Sequence, residues 1–174
     1  MELNLSVKTL YIVRHAKSSW DDPGLDDFER PLNERGKRDA PRMGKRLKER
    51  EIYPDLMISS PARRAFSTAK RIAKILGYKK EGIKTEKKLY HAGEEQILSV
   101  IKTLSDKFEV VMVIGHNPGL TEFVNTFKDD EGQIIDNIPT CGIVAFEMKV
   151  DRWKDIGWAN GKMIFFDFPK NQEI

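Results

Sequence analysis

Apolar residues collect in this chain in short runs that stop on chemically active side chains. Leu10-Tyr11-Ile12-Val13 ends on Arg14 and His15. Leu56-Met57-Ile58 leads into Ser59, Ser60 and Pro61, with Arg63 and Arg64 just behind. Val110-Val111-Met112-Val113-Ile114 ends on Gly115, His116 and Asn117. Such β-branched and aromatic runs predict buried strands. The last is apolar at every position, which predicts a central, parallel strand covered on both faces.

Between the runs the apolar spacing becomes helical. Asn33 can cap a helix running to about Arg50, with Ala40, Met43, Gly44 and Leu47 on its buried side. Pro41 inside it predicts a kink, or the point where the regular part begins. Ser60, followed by Pro61 at a first helical position, predicts a second helix with Ala65, Ala69, Ile72, Ala73 and Leu76 as its stripe and Gly77 as its stop. Ile97, Ile101, Leu104 and Phe108 mark a third. Asn117-Pro118 repeats the Ser60-Pro61 grammar ahead of Leu120, Phe123, Val124 and Phe127. A short strand is predicted near Ile83 to Glu86. Gly142–Val150, Trp153–Trp158 and Lys162–Phe168 read as closing strands, partly antiparallel. Lys128 to Thr140 reads as a polar loop. The alternation predicts an α/β fold. At 174 residues a single domain over 1–174 with one core is expected.

Composition narrows the function classes. Hydrophobic content of 40% and charged content of 33% fit a globular protein. A net charge of +3 from 30 basic and 27 acidic residues, with no basic block among aromatics, argues against a nucleic-acid partner. No apolar segment opens the chain, and nowhere do eighteen apolar residues run together, so a cytoplasmic protein without a membrane segment is expected. Cys141 is the only cysteine and reads as a packed side chain.

In open α/β sheets, ligands bind at the carboxyl ends of strands. His15 is therefore the candidate nucleophile for a phosphoryl group, with Arg14 holding its oxygens. Arginine meets two phosphoryl oxygens with one planar fork. Arg64, in the first turn of its helix, opposes the macrodipole and makes sense if an anion sits there too. His116 adds a donor, and a charged His116 beside two arginines would lower the His15 pKa. Two helix N-termini opening at this edge would favour phosphate. In a regular strand Arg14 and His15 face opposite ways, so the chain must turn out of the strand between them. The long stretch from Ser18 to Leu32 carries Asp21, Asp22, Asp26, Asp27 and Glu29. Without a His or Cys to complete a ligand set it reads as a solvated acidic loop, and neither metal nor cofactor is expected.

Arg14-His15 with Ser18 and Trp20, the run Ser60-x-x-x-Arg64-Ala65-x-x-Thr68 and the later Gly115-His116 resemble the histidine phosphatase (phosphoglycerate mutase-like) superfamily. The resemblance spans about Leu10 to Phe123. Short length and Arg30-Pro31-Leu32-Asn33-x-x-Gly36 look most like its small branch, the SixA-type phosphohistidine phosphatases. Many members carry Gly where this chain has Ala16. The resemblance implies a three-layer sandwich with a mainly parallel central sheet flanked by helices. It implies a covalent phosphohistidine intermediate on His15, with Arg14, Arg64 and His116 as catalytic partners. Its spacing selects Arg64 over Arg63, and Ser18 and Asn117 fall at substrate-binding positions. The general acid stays open. Asn117 follows His116 where some relatives carry an Asp, and Glu94, Glu95, His91 and Asp21 are all candidates. An imidazole leaving group needs less help than an alkoxide, which favours a phosphohistidine-containing protein as partner. A small-molecule phosphomonoester phosphatase or mutase is the alternative, and a phosphate-binding module without turnover is the second.

Overall fold

The computed structural model describes residues 6–127, 132, 134–158 and 160–171. Among the described residues, six strands form one sheet: β1 (Lys8–Arg14), β2 (Leu56–Ser59), β3 (Lys84–Thr85), β4 (Val110–Gly115), β5 (Ile143–Met148) and β6 (Gly161–Asp167). Their order is β3-β2-β4-β1-β5-β6. β4 pairs in parallel with β1 on one side and β2 on the other, so the all-apolar run is interior as its composition requires. β5 and β6 close the sheet antiparallel.

Strand alternation divides the core into two layers. Leu10, Ile12, Val111 and Val113 face α3 (Glu94–Lys102) and α4 (Gly119–Asn125), packing with Ile97, Ile101 and Phe123. Tyr11, Val13, Met112 and Ile114 face α1 (Glu34–Glu49) and α2 (Arg63–Leu76), packing with Met43, Leu47 and Ile72. Fully burying one such side chain stabilises by about 1.5–3 kcal/mol. The result is a three-layer α/β sandwich. Among the described residues, no helix is long and apolar enough to cross a membrane.

Several boundaries differ from the sequence reading. Asn33 does cap α1, its side chain accepting the Gly36 N–H at 2.8 Å. Pro41 lies within α1. Ser60 does not cap α2: its hydroxyl accepts the Ala62 N–H in a turn and the helix begins at Arg63, after Ala62. α4 likewise begins after Pro118, which follows a cis peptide bond. α3 ends at Lys102, so Leu104 and Phe108 continue its buried face from the following turn. Trp153–Trp158 is not a strand. Trp153–Asp155 forms a 3-10 turn because the Trp153 ring is buried and its indole N–H donates to the Phe108 carbonyl at 2.7 Å. Part of the predicted loop from Lys128 to Thr140 lies outside the described residues.

Candidate active site

The carboxyl ends of β1, β2 and β4 open into one cleft of about 490 Å³, whose lining includes Arg14, His15, Arg64, His116, Ser18 and Asn117. β1 ends at Arg14, and the chain leaves the strand before His15, so both side chains reach the same cleft. The backbone there is tightly held. The His15 N–H donates to the Gly115 carbonyl at 3.0 Å, and the His15 carbonyl accepts the Cys141 N–H at 3.1 Å. Ala16 donates its N–H to the Thr68 hydroxyl of α2 at 2.9 Å. Cys141 is buried and adopts a left-handed φ of 61°.

His15 Nδ1 lies 2.8 Å from the Ala16 carbonyl oxygen, which can only accept, so Nδ1 carries the hydrogen and Nε2 keeps its lone pair. Burial pushes the His15 pKa down to about 4; Arg64, Arg14 and Arg30 push the same way, while the Ala16 hydrogen bond opposes them. His116 lies with its ring 5.1 Å from that of His15, and its Nε2 shares a hydrogen with the Ser60 hydroxyl at 2.7 Å. Burial first, then His15 and Arg64, pushes its pKa down to about 3. His116 is therefore neutral near pH 7, not the charged neighbour expected from sequence.

Arg14 donates to the Ile138 carbonyl at 2.8 Å. Arg64 donates to the Asp27 carbonyl at 2.7 Å and to the Asp27 carboxylate at 3.0 Å. Arg64 is buried whereas Arg63 is exposed, which separates the two neighbours. Arg14 Nε, Arg64 Nε and His116 Nδ1 are buried without partners among the described residues. Orphaned buried nitrogens are costly, and their clustering around one cleft is explained if the cleft receives an anion.

Asp27 is the main residue the sequence reading missed. Assigned there to a solvated loop, its carboxylate accepts from Arg64, from the Tyr90 hydroxyl at 2.7 Å and from Arg30 Nε at 3.2 Å. Burial raises its pKa, but the Tyr90 hydroxyl and the two guanidinium groups outweigh burial and hold the carboxyl well below the usual range. The only local signal was the Asp27–Arg30 spacing; Arg64 and Tyr90 arrive from distant parts of the chain. Arg30 also donates to the Ser18 hydroxyl at 2.8 Å, and its guanidinium stacks 3.6 Å from the Trp20 ring centre. Ser18 thus reaches the cleft while holding Arg30. Asn117 lines the cleft, but its amide is already engaged: it donates to Asn137 and Ile138 and accepts from Thr121. That side chain braces the loop, and this geometry does not support a substrate contact by its amide.

Of the four candidate acids, His91 alone lines the cleft, its ring 3.9 Å from that of Tyr90. Glu94 and Glu95 line a separate groove with Phe127 and Trp158. Asp21 is exposed and outside the cleft lining. Glu122, in the first turn of α4, does line it. Among the described residues, no group of three or more His, Cys, Asp or Glu side chains is arranged to hold a metal ion.

The model of the histidine phosphatase superfamily (branch 1) matches residues 10–92. An uncharacterized chloroplastic protein of Arabidopsis thaliana is 28% identical over 156 residues, covering 85% of this chain and 70% of that protein. SixA of Agrobacterium tumefaciens, a candidate phosphohistidine phosphatase, is 28% identical with a TM-score of 0.76 over 93% of this chain and 98% of its own. A tungstate complex of the protein histidine phosphatase SixA shares the fold at 20% identity, with a TM-score of 0.77 over 92% of this chain and 97% of its own.

Proposed function

We infer that this chain, which carries the histidine phosphatase superfamily pattern and the SixA fold, is a phosphatase that acts on a phosphohistidine protein through a phosphoryl group held on His15. The observation that carries the reading is the His15 tautomer. Nδ1–H is tied to the Ala16 carbonyl, so the Nε2 lone pair is available, and the low pKa keeps it so.

In the proposed reaction Nε2 forms a bond to phosphorus while the bond to the substrate's imidazole nitrogen breaks. The leaving imidazole takes its proton from water, and the hydroxide so formed attacks phosphorus in line; the P–Nε2 bond breaks, its electron pair returns to Nε2, and hydrogen phosphate leaves. Arg14 and Arg64 hold the equatorial oxygens, and neutral His116 offers them a ring N–H. Positioning and charge stabilisation supply most of the acceleration. With arginines meeting the charge, no metal ion is assigned a step, and chelator should leave turnover unchanged.

The test is turnover by wild type and His15→Ala on a phosphohistidine protein and on a simple aryl phosphate. Rapid, His15-dependent loss of phosphohistidine with slow ester cleavage supports the reading. Turnover that survives in His15→Ala overturns it. A second reading, a small-molecule phosphomonoester phosphatase, is favoured by His91 and Glu122, which could protonate an alkoxide from the cleft wall. Preference for the aryl ester in the same assay would select it.

A further inference from the structure

We propose that Asp27 and Glu122 select substrates by charge, confining the cleft to ligands that bring one phosphoryl group and no second anion and favouring a neutral or cationic group beyond the phosphorus. The proposal rests on the phosphatase reading and narrows its substrate class.

The charged side chains lining the cleft are Arg14, Lys17, Arg30 and Arg64 against Asp27 and Glu122. Counting Lys, Arg, Asp and Glu only, four positive charges against two negative leave +2. His15 and His116 add nothing near neutral pH, because both are held in their neutral forms. A phosphoryl group carries about −1.5 to −2 at pH 7. One such group therefore brings the lining close to neutrality. A second carboxylate or phosphate on the same ligand would find Arg64 and Arg30 already engaged by Asp27, and would meet Lys17, which has no ion-pair partner among the described residues, set against two carboxylates. Glu122 is exposed at the lining and, among the described residues, has no ion-pair partner. It is thus free to meet an ammonium or an imidazole N–H. A ligand carrying two phosphoryl groups, as a mutase intermediate must, is matched poorly by this arrangement. One added like charge at the distance of a small aromatic ring, in a half-enclosed cleft, should weaken binding about threefold to tenfold at low salt and less at high salt.

The experiment is calorimetric binding of three non-hydrolysable probes: phenylphosphonate, para-carboxyphenylphosphonate and para-aminomethylphenylphosphonate. They are titrated near neutral pH into wild type, Glu122→Gln, Glu122→Lys and Asp27→Asn. Wild type should bind the amine most tightly and the carboxylate most weakly, with about threefold or more between neighbours. Glu122→Gln should shrink the amine's advantage and Glu122→Lys should reverse it. Asp27→Asn should improve the carboxylate probe relative to phenylphosphonate. Equal binding of all three by wild type, or an order unchanged in Glu122→Lys, overturns the proposal. An equal loss of all three probes in Asp27→Asn would make that residue only a brace for Arg64 and overturn its part in selection. Because Glu122 is exposed, its variants keep the test readable even if Asp27→Asn folds poorly. Binding in the predicted order by a wild type that hydrolyses neither phosphohistidine protein nor aryl phosphate would overturn the phosphatase reading and leave the charge selection standing.

Discussion

His15 has its two ring nitrogens in different surroundings, and that asymmetry carries a pH signature. Unfolded, its imidazole takes a proton near pH 6.5; folded, it refuses one until about pH 4. Between those values the unfolded state binds more protons, so stability falls as pH drops through the window and is restored above it. For His15 alone the loss should be on the order of 3 kcal/mol. Urea unfolding at a series of pH values checks this, and His15→Gln should flatten the slope; an unchanged slope would refute the assignment. The two arginines at the head of α2 offer a sharper comparison. Arg64 is buried against Asp27 while Arg63 is exposed. Loss of charge-assisted bonds should make Arg64→Ala cost about 10²–10³-fold in kcat/KM, with little change in Arg63→Ala. Equal losses would mean the wrong arginine was assigned. His15, Arg14 and His116 could be placed at the cleft from sequence because each closes or follows an apolar run, and the family spacing separated Arg64 from Arg63. Asp27 and Glu122 were not, because their meaning depends on where distant loops and helices return to the cleft.

At the level of elements, strands and helices serve the site through a few close approaches. Gly36 in α1 is one: a Cβ there would collide with the Lys17 carbonyl oxygen, one residue from Ser18. Ala is normally the better helix residue, by about 1 kcal/mol. Gly36→Ala should nevertheless lower the melting temperature and reduce turnover by pushing Lys17 and Ser18 away. Gly77→Ala provides the contrast. Gly77 ends α2 at φ 72° with nothing within 4 Å of a built Cβ. Substitution there should also cost about 1 kcal/mol, through backbone strain, while turnover per folded molecule stays unchanged. Melting curves paired with rates separate the two cases, and an unaltered rate in Gly36→Ala would refute the steric account. The β1, β2 and β4 runs were readable because continuous burial leaves a continuous apolar signature. The Trp153 segment was misread because an aromatic-rich run looks like a strand, whereas its indole N–H had a specific partner elsewhere in the fold. The start of α2 was misplaced because Ser60 is engaged by Ala62 and His116.

For the molecule as a whole, the parallel strands gather residues from positions 14 to 140 around one cleft, and the antiparallel β5–β6 pair contributes none to its lining. The three-layer architecture followed from alternating strand and helix patterns and from the family resemblance, whereas the strand order needed the tertiary pairing itself. Anion binding should stabilise this native arrangement: orthophosphate at a hundred times its dissociation constant should add about 2.7 kcal/mol, read as a rise in melting temperature. Cys141 offers a different view of the same cohesion. It is buried, its thiol pKa is raised by burial, and its N–H holds the His15 carbonyl. With no other cysteine in the chain, the thiol becomes a built-in clock for opening of the floor beneath His15. Its rate of alkylation by a maleimide would count how often that floor comes apart, with no label to be introduced and no competing thiol to subtract.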